Sequence, residues 1–589
     1  MEDLTLRYFD AEMRYLRDAA KEFMQTNPEA AARLGMMSPG AYDPSVEQVF
    51  QGFAFLMGRL REKLDDDIPE LTEGLVNMLW SQYLRLIPSL CIVEFSQNVR
   101  SQKVCEIVPA KFEVTSRPVG PRNTVCRYRT TRDLTLRPMT ITKAGIHYEN
   151  SGHTFLRLRF ECSHLADWSE IDLERIPVYL NADLPLASEL HVSLTDCELK
   201  TAYIRYSGDT ERYPFDGYFA LNGFEDSDRL MPNEERPDMQ GYRLMFEYFT
   251  FREKFMFITL KGLEKVTFPE GMTSFEIEIV FNRQWDPDFS VTHENFRLHC
   301  VPVINLFSLD ALPLRLNPQD SEYLTTPLHE SDGHAEVFSV ERVCSTKRES
   351  QQEYLAFSTF QHQGGARHHR FPERYFHTRV RRGPSGRSET WLILGGSSFE
   401  EERILPKKSL TVHLTGTNGN LPRMVLSDIL LDTLDADASF SKMKVLNLTK
   451  PTLPCYPPNI DQYHWKIMSH MGSNFLSMMD DAEVLRNTLS LYNWTDDPMN
   501  KRRIEGITKV VHYGIERFEK GFLARGVNVE ITIDSSQYAG EGDYRFFGEF
   551  LSQFHAQYAD IHLFNKITLV VEPEGRRLVW SEKHSKRLG

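Results

Sequence analysis

The sequence predicts an α+β chain of several domains: N-terminal helices over 1–88, a β-rich domain over 89–308, a second β-rich domain with long loops over 309–458, and a mixed α/β domain over 459–589. Three observations predict it. At 589 residues the chain is too long for one core and divides into roughly three to five domains. Apolar residues recur at helical spacing up to Pro88, and at every second position from Ser89 onward. Both periods then mix after Lys450–Pro458, a stiff proline-rich linker. Hydrophobic residues at 41% and aromatics at 12% supply ample core, while a net charge of −15 lacks the basic footprint of general nucleic-acid binding.

In the first region Phe9, Met13, Leu16, Ala20 and Phe23 share one helical face, and Asn27-Pro28 breaks the pattern. Asp43-Pro44 reads as a helix start, followed by Val46, Val49, Phe50, Phe53, Met57, Leu60 and Leu64 on one face. A third helix opens near Pro69 and ends at Pro88. The three form a bundle or a docking face. Asp65-Asp-Asp67 between the second and third suits the positive end of the third helix better than a metal, which needs convergent oxygens.

Strands are expected at Cys91–Phe95, Val104–Val108, Arg127–Thr131, Leu134–Pro138, Phe155–Phe160 and Val178–Asn181, with a helix near Ala187–Leu194. Gly241–Leu260 holds seven aromatics between Tyr242 and Phe257: a helix-forming half, then a strand over Phe255–Leu260 buried on both faces. Phe275–Phe281 is a strand. Asn295–Phe307 reads as a buried strand interrupted at Pro302, which cannot donate to a central ladder. Further strands are expected at Glu336–Val340, Thr390–Leu394, Phe522–Ile531 and Ile567–Val571, and helices at Trp465–Leu476, Ala482–Tyr492 and Phe546–Tyr558.

Each candidate for chemistry in the sequence has a structural reading that fits it better. The eight cysteines form no C-x-x-C and read as buried reduced thiols. His329–His334 is one residue too long for H-E-x-x-H and reads as a loop. Thr415–Pro422 lacks the lysine of a phosphate loop and reads as a tight turn. His470 beside Ser469 reads as a packed helix residue. The Arg367–Arg387 segment, rich in arginine and histidine, reads as a solvated loop or a contact with an acidic neighbour, ahead of a nucleic-acid or metal site. No catalytic, cofactor-binding or metal residue is assigned. The N-terminus lacks the basic start and apolar stretch of a secretory signal, and no apolar run is long enough to span a membrane.

Several motifs carry a family resemblance. Glu247–Phe257 resembles the E-Y-F-x-F-P-E-K-F-x-F signature of the TssF family, baseplate subunits of the bacterial type VI secretion system, with Arg252 where the family has proline, which implies a softer helix-to-strand join. Arg7–Arg17, Asp43–Leu56, Asp65–Glu73, Arg127–Pro138, Asn295–Phe307, Trp465–Leu476, Arg525-Gly526 and Phe547–Phe554 resemble further family stretches. Thr415–Pro422 resembles its C-T-N-R-x-L-P, with Gly416 for the cysteine and Gly419 for the arginine.

The resemblance implies a cytoplasmic structural protein, not an enzyme. It implies a wedge with TssG and a second copy of the chain, contacts with TssK and TssE, and assembly around the spike hub to seed tube and sheath. Docking at the inner face of the inner membrane would be indirect, through the membrane complex. No nucleic acid and no cofactor is implied. A wedge protein of another phage-like contractile particle, and more remotely a hydrolase, are the alternatives. The expected interface residues are Phe9, Met13, Leu16, Phe50, Phe53, Tyr248, Phe249, Phe251, Arg379, Arg381 and Arg382.

Overall fold

The computed structural model describes residues 83–584 apart from short loops and the longer stretches 232–239, 346–352, 357–373, 396–408, 435–442 and 468–478; before residue 83 it describes 36–38, 41–42, 44–57 and scattered helical positions. The chain forms two compact units, one of residues 1–84 with 459–471 and one of 85–458 with 472–589.

In the first unit residues 44–57 are helical, as are Phe9, Met13 and Leu16. Met13, Ala20, Ala31, Ala54, Val76, Tyr463 and Ile467 are buried, and Arg17 pairs with Glu47 at 2.7 Å. The periodicity did not anticipate the short antiparallel pair Met36–Ser38 and Ala41–Tyr42.

The second unit stacks several sheets. Cys300–Ile304 lies inside a six-stranded sheet, between Leu90–Ser96 and Arg127–Thr130. The expected interruption at Pro302 is absent, and the reason lies in the strand beside it. The Pro302 carbonyl accepts from the backbone and hydroxyl of Thr131, at 3.1 and 3.0 Å. The ring nitrogen points to the same side, where the neighbouring strand has already ended, so no ladder bond is lost.

From Ile304 the chain passes into an eight-stranded sheet that begins at Phe307–Asp310 and ends at Ser409–Thr417, paired antiparallel with each other. It then returns. Leu431–Leu434 pairs with Glu113–Ser116, and Lys444–Asn447 with Leu90–Ser96, so the late strands complete the first sheet. Asn305 and Asn418 mark the exit and the return. The Asn305 amide oxygen accepts from Thr417 Oγ1 and Asn418 N, both at 2.7 Å, and its Nδ2 donates to the Arg127 carbonyl at 2.7 Å and to Asn418 Oδ1 at 2.9 Å. The turn expected over Thr415–Pro422 is confined to 418–420, between the strand Ser409–Thr417 and the helix Leu421–Val425, and its Asn418 is a structural partner.

A five-stranded antiparallel sheet buries Leu156, Leu158, Phe160, Phe275, Ile277 and Ile279 on one face. Its other face carries cross-strand ion pairs, with the buried Glu278 carboxylate reached by Arg157 and Arg205 at 2.9 and 3.2 Å. This alternation is what one buried and one wet face require. The C-terminal sheet has the order Ile507–Glu519, Phe522–Asp534, Leu563–Glu572, Arg576–Val579, with the middle pair parallel. Of the eight cysteines, Cys91, Cys126, Cys162, Cys300 and Cys344 are buried, and no described cysteine is in a disulfide.

Candidate functional site

The aromatic run forms the helix Gln240–Thr250, a 3-10 turn Arg252–Phe255 and the strand Phe257–Lys261. The strand therefore starts two residues later than the apolar pattern suggests. Tyr248, Phe249 and Phe251 are buried in the chain's own core, so they are not presented to a partner. Their neighbours explain why. The helix Glu541–Tyr558 lays Phe546, Phe547, Phe550 and Phe554 along one stripe, and the Tyr248 ring stacks on Phe550 at 4.0 Å between centroids. Phe246 meets Trp494 edge-on at 4.6 Å, and the Phe249 carbonyl accepts from Asn500 Nδ2 at 2.9 Å. The run thus ties the strand Ile176–Leu180, which pairs with Phe257–Lys261, to the C-terminal helices.

Two buried ion clusters lock the join. Glu247 and Lys254, the acid and lysine of the signature, pair with each other, and Glu247 Oε1 also accepts from Leu230 N at 2.8 Å. Burial pulls the Lys254 ammonium below its ordinary pKa, opposed by Glu247. Arg252 lies 2.6 Å from Asp543 and over the Tyr248 and Phe546 rings, while Arg503 reaches the same carboxylate at 3.0 Å. Burial works against the Asp543 charge, yet the two guanidiniums hold its carboxyl below the usual range. Arg252 therefore does not soften the join where the signature has proline; it anchors the turn to the last helix. Neither Asp543 nor Arg503 stood out in the sequence, because an isolated charge in an amphipathic pattern reads as solvated.

The remaining expected residues divide. Met13 is buried; Phe9, Leu16 and Phe50 are half-buried; Phe53 is 51% exposed. Beside Phe53 on the helix over 44–57, Val49 and Leu56 are each 67% exposed. These three positions are spaced four and three apart and form one stripe. The sequence signal for this stripe is that apolar residues occupy most of the circumference over 49–57, more than one core-facing stripe needs. Arg379 and Arg381 lie on the strand Tyr375–Arg382. Both approach Glu322, Arg381 through two contacts at 2.6 and 3.0 Å and Arg379 at 3.6 Å, and Arg381 sits over the Trp391 ring. The backbone at Arg382 belongs to this strand; its side chain, the segment 367–373, residues 329–333, Asp65–Asp67 and Ser469-His470 lie outside the described residues. Among the described residues no three His, Cys, Asp or Glu side chains converge as metal ligands, and no helix is long and apolar enough to cross a membrane.

The family model for the type VI secretion system protein TssF matches residues 1–587. The chain belongs to the TssF family. It is 26% identical to the type VI secretion system component TssF1 of Pseudomonas aeruginosa over 618 aligned positions, covering 99% of both chains. It is also similar to a chain of the type VI TssK-TssF-TssG baseplate subcomplex solved by cryo-electron microscopy, with 50% identity and a TM-score of 0.81 over 92% of this chain and 99% of that one. A chain of the type VI baseplate complex matches with 46% identity and a TM-score of 0.67 over the full length of both. As a TssF-family protein this chain is a baseplate subunit of the type VI secretion system. In this chain the acid, the lysine and the aromatics of the signature build an internal joint, while the helix over 44–57 leaves Val49, Phe53 and Leu56 exposed.

Proposed function

We propose that this chain assembles with a TssG-like subunit, a TssK-like subunit and a second copy of itself into a wedge of the baseplate. TssE-like subunits, the spike hub and the sheath are its further neighbours, and it reaches the inner face of the inner membrane only through the membrane complex. Its contribution is structural, a scaffold that holds the wedge and rearranges when the sheath contracts, with no reaction catalysed. The observation that carries this reading is the Val49, Phe53 and Leu56 stripe on the helix over 44–57. Large apolar side chains this exposed in one row mark a surface that another protein covers. The similarity to chains solved within the TssK-TssF-TssG subcomplex and the baseplate complex supports the TssK-like and TssG-like partners.

The test is co-purification of the tagged chain with TssG-like and TssK-like subunits, comparing wild type with Val49→Asp and Phe53→Asp. The expected result is a defined complex for wild type and its loss for both variants, with unchanged circular dichroism and melting. Variants that still recover the full complex would remove this helix as the contact.

A further inference from the structure

The second unit holds a cavity of about 190 Å³, lined by residues from three stretches of chain, within 132–139, 172–177 and 298–300. Its walls are apolar, from Leu134, Met139, Ile176, Pro177 and Leu298, and its exposed members Asp133, Asp172 and Arg175 mark the mouth. Three further lining side chains each keep an N–H unused. Arg137 is 5% exposed; its Nε donates to the Asp172 carbonyl at 2.6 Å, and its Nη2 to the Arg175 carbonyl at 2.8 Å and Asp172 Oδ2 at 3.2 Å. Among the described residues nothing accepts from its Nη1. Arg132 lies over the Phe257 ring and donates from Nη1 to Asp228 Oδ1 at 2.5 Å and Asn222 Oδ1 at 3.2 Å. Its Nη2 is buried with no partner among the described residues. His299 Nε2 accepts from Arg137 N at 3.0 Å, so the ring proton sits on Nδ1, from which no described group accepts. Burial, and then Arg137, lower the His299 pKa to about 3, so the ring is a neutral donor near pH 7. Its backbone is left-handed, with φ 58°, and Phe95 N holds its carbonyl at 3.0 Å. A side chain other than glycine rarely sits there, and strain of this kind collects at ligand sites.

We propose that this cavity binds a carboxylate borne on an apolar group, with Arg132, Arg137 and His299 donating to its oxygens and the apolar walls covering the rest. Buried N–H groups without acceptors are costly, and three around one cavity ask for a common acceptor. A guanidinium fork matches the flat, two-oxygen shape of a carboxylate. The volume takes a group of several heavy atoms, more than one water. A metal cation would face unused donors and no unused acceptor among these three side chains. Inorganic phosphate would leave the apolar walls without a partner and bring a second negative charge toward Asp133 and Asp172. The same chemistry is carried by the last residue of a partner polypeptide, where it is apolar, and by a free small acid.

The test is calorimetric titration of the full chain with N-acetyl-leucine, its amide, and inorganic phosphate. Saturable binding of the acid is expected, with the amide and phosphate each about tenfold weaker or worse. Arg132→Lys keeps a cation beside Asp228 and deletes Nη2, so it should weaken the acid about tenfold while the melting temperature without ligand stays unchanged. The contrast of acid with amide is read on the wild-type chain, so it decides even where the variant does not fold. A four-residue peptide ending in leucine that binds as tightly as the acid assigns the ligand to a chain terminus, and binding of the acid without the peptide assigns it to a free small acid. The proposal is overturned by the absence of saturable binding, by equal binding of acid and amide, by phosphate binding more tightly than the acid, or by full affinity in a folded Arg132→Lys chain.

Discussion

Asn305 and Asn418 hold each other across the point where the chain leaves the six-stranded sheet and comes back to it, with Asn305 Nδ2 donating to Asn418 Oδ1 at 2.9 Å. Both side chains are buried, and the Asn305 amide serves Thr417, Asn418 and Arg127 together. Asn305→Leu strands these groups without water. Each buried group left unpaired costs about 1–3 kcal/mol, so the variant should lose at least about 3 kcal/mol in urea unfolding. A loss below 1 kcal/mol would show that the network relaxes onto other partners.

Lys254 and Glu247 are both buried, so removing one leaves the other charge without compensation. Lys254→Met should therefore destabilise by about 3–5 kcal/mol. Glu247→Leu combined with Lys254→Met should recover part of that loss, though Leu230 N would lack its acceptor. A double mutant as unstable as the sum of the singles would argue that the pair is not coupled.

Asp543 faces two guanidiniums, and this makes the three residues unequal. Arg252→Met leaves the Arg503–Asp543 pair intact, whereas Asp543→Asn leaves two buried cations facing each other. Thermal melting should rank Asp543→Asn well below Arg252→Met. The reverse ranking would mean that the Arg252 stacking on Tyr248 and Phe546 outweighs its charge.

His191 is buried edge-on against Phe546, and its pKa is lowered to about 3 by burial first and by Arg252 second. Neither ring nitrogen has a partner among the described residues. The unfolded chain takes up a proton near pH 6.5 while the folded chain does not, so this group lowers stability as pH falls from 6.5 toward 3, by about 1.4 kcal/mol per pH unit. His191→Phe should flatten that slope by one proton in unfolding measured between pH 7 and 4.5, and should be neutral or stabilising at pH 7. An unchanged slope would place the titration elsewhere, for example on buried His555, whose pKa is likewise lowered to about 3.

Much of the fold is legible where one period dominates. Ala482–Tyr492 has the bounds its apolar pattern gives, and the expected strand at Phe275–Phe281 is Ser274–Phe281. Pro302 misleads because the rule concerns a lost donor, and the side to which that donor would point is set by a neighbour far away in sequence. Tyr248, Phe249 and Phe251 carry the same signal for an interface as for a core, since both bury large rings. Only the helix Glu541–Tyr558 decides between them. Arg381 reads as free basic surface until Glu322 comes beside it. The exposed row on the helix over 44–57 was within reach, because its apolar residues exceed what one buried face can use.

The clasp at Asn305 and Asn418 has one more implication. Everything between them, the whole eight-stranded sheet, departs and returns at positions already in hydrogen-bonding distance. Such a stretch is an insert in a host whose own strands close without it, tied to that host also by Tyr456, whose hydroxyl donates to Glu336 at 2.7 Å. Excising residues 307–416 and rejoining the ends with a short turn should therefore leave the host sheet continuous.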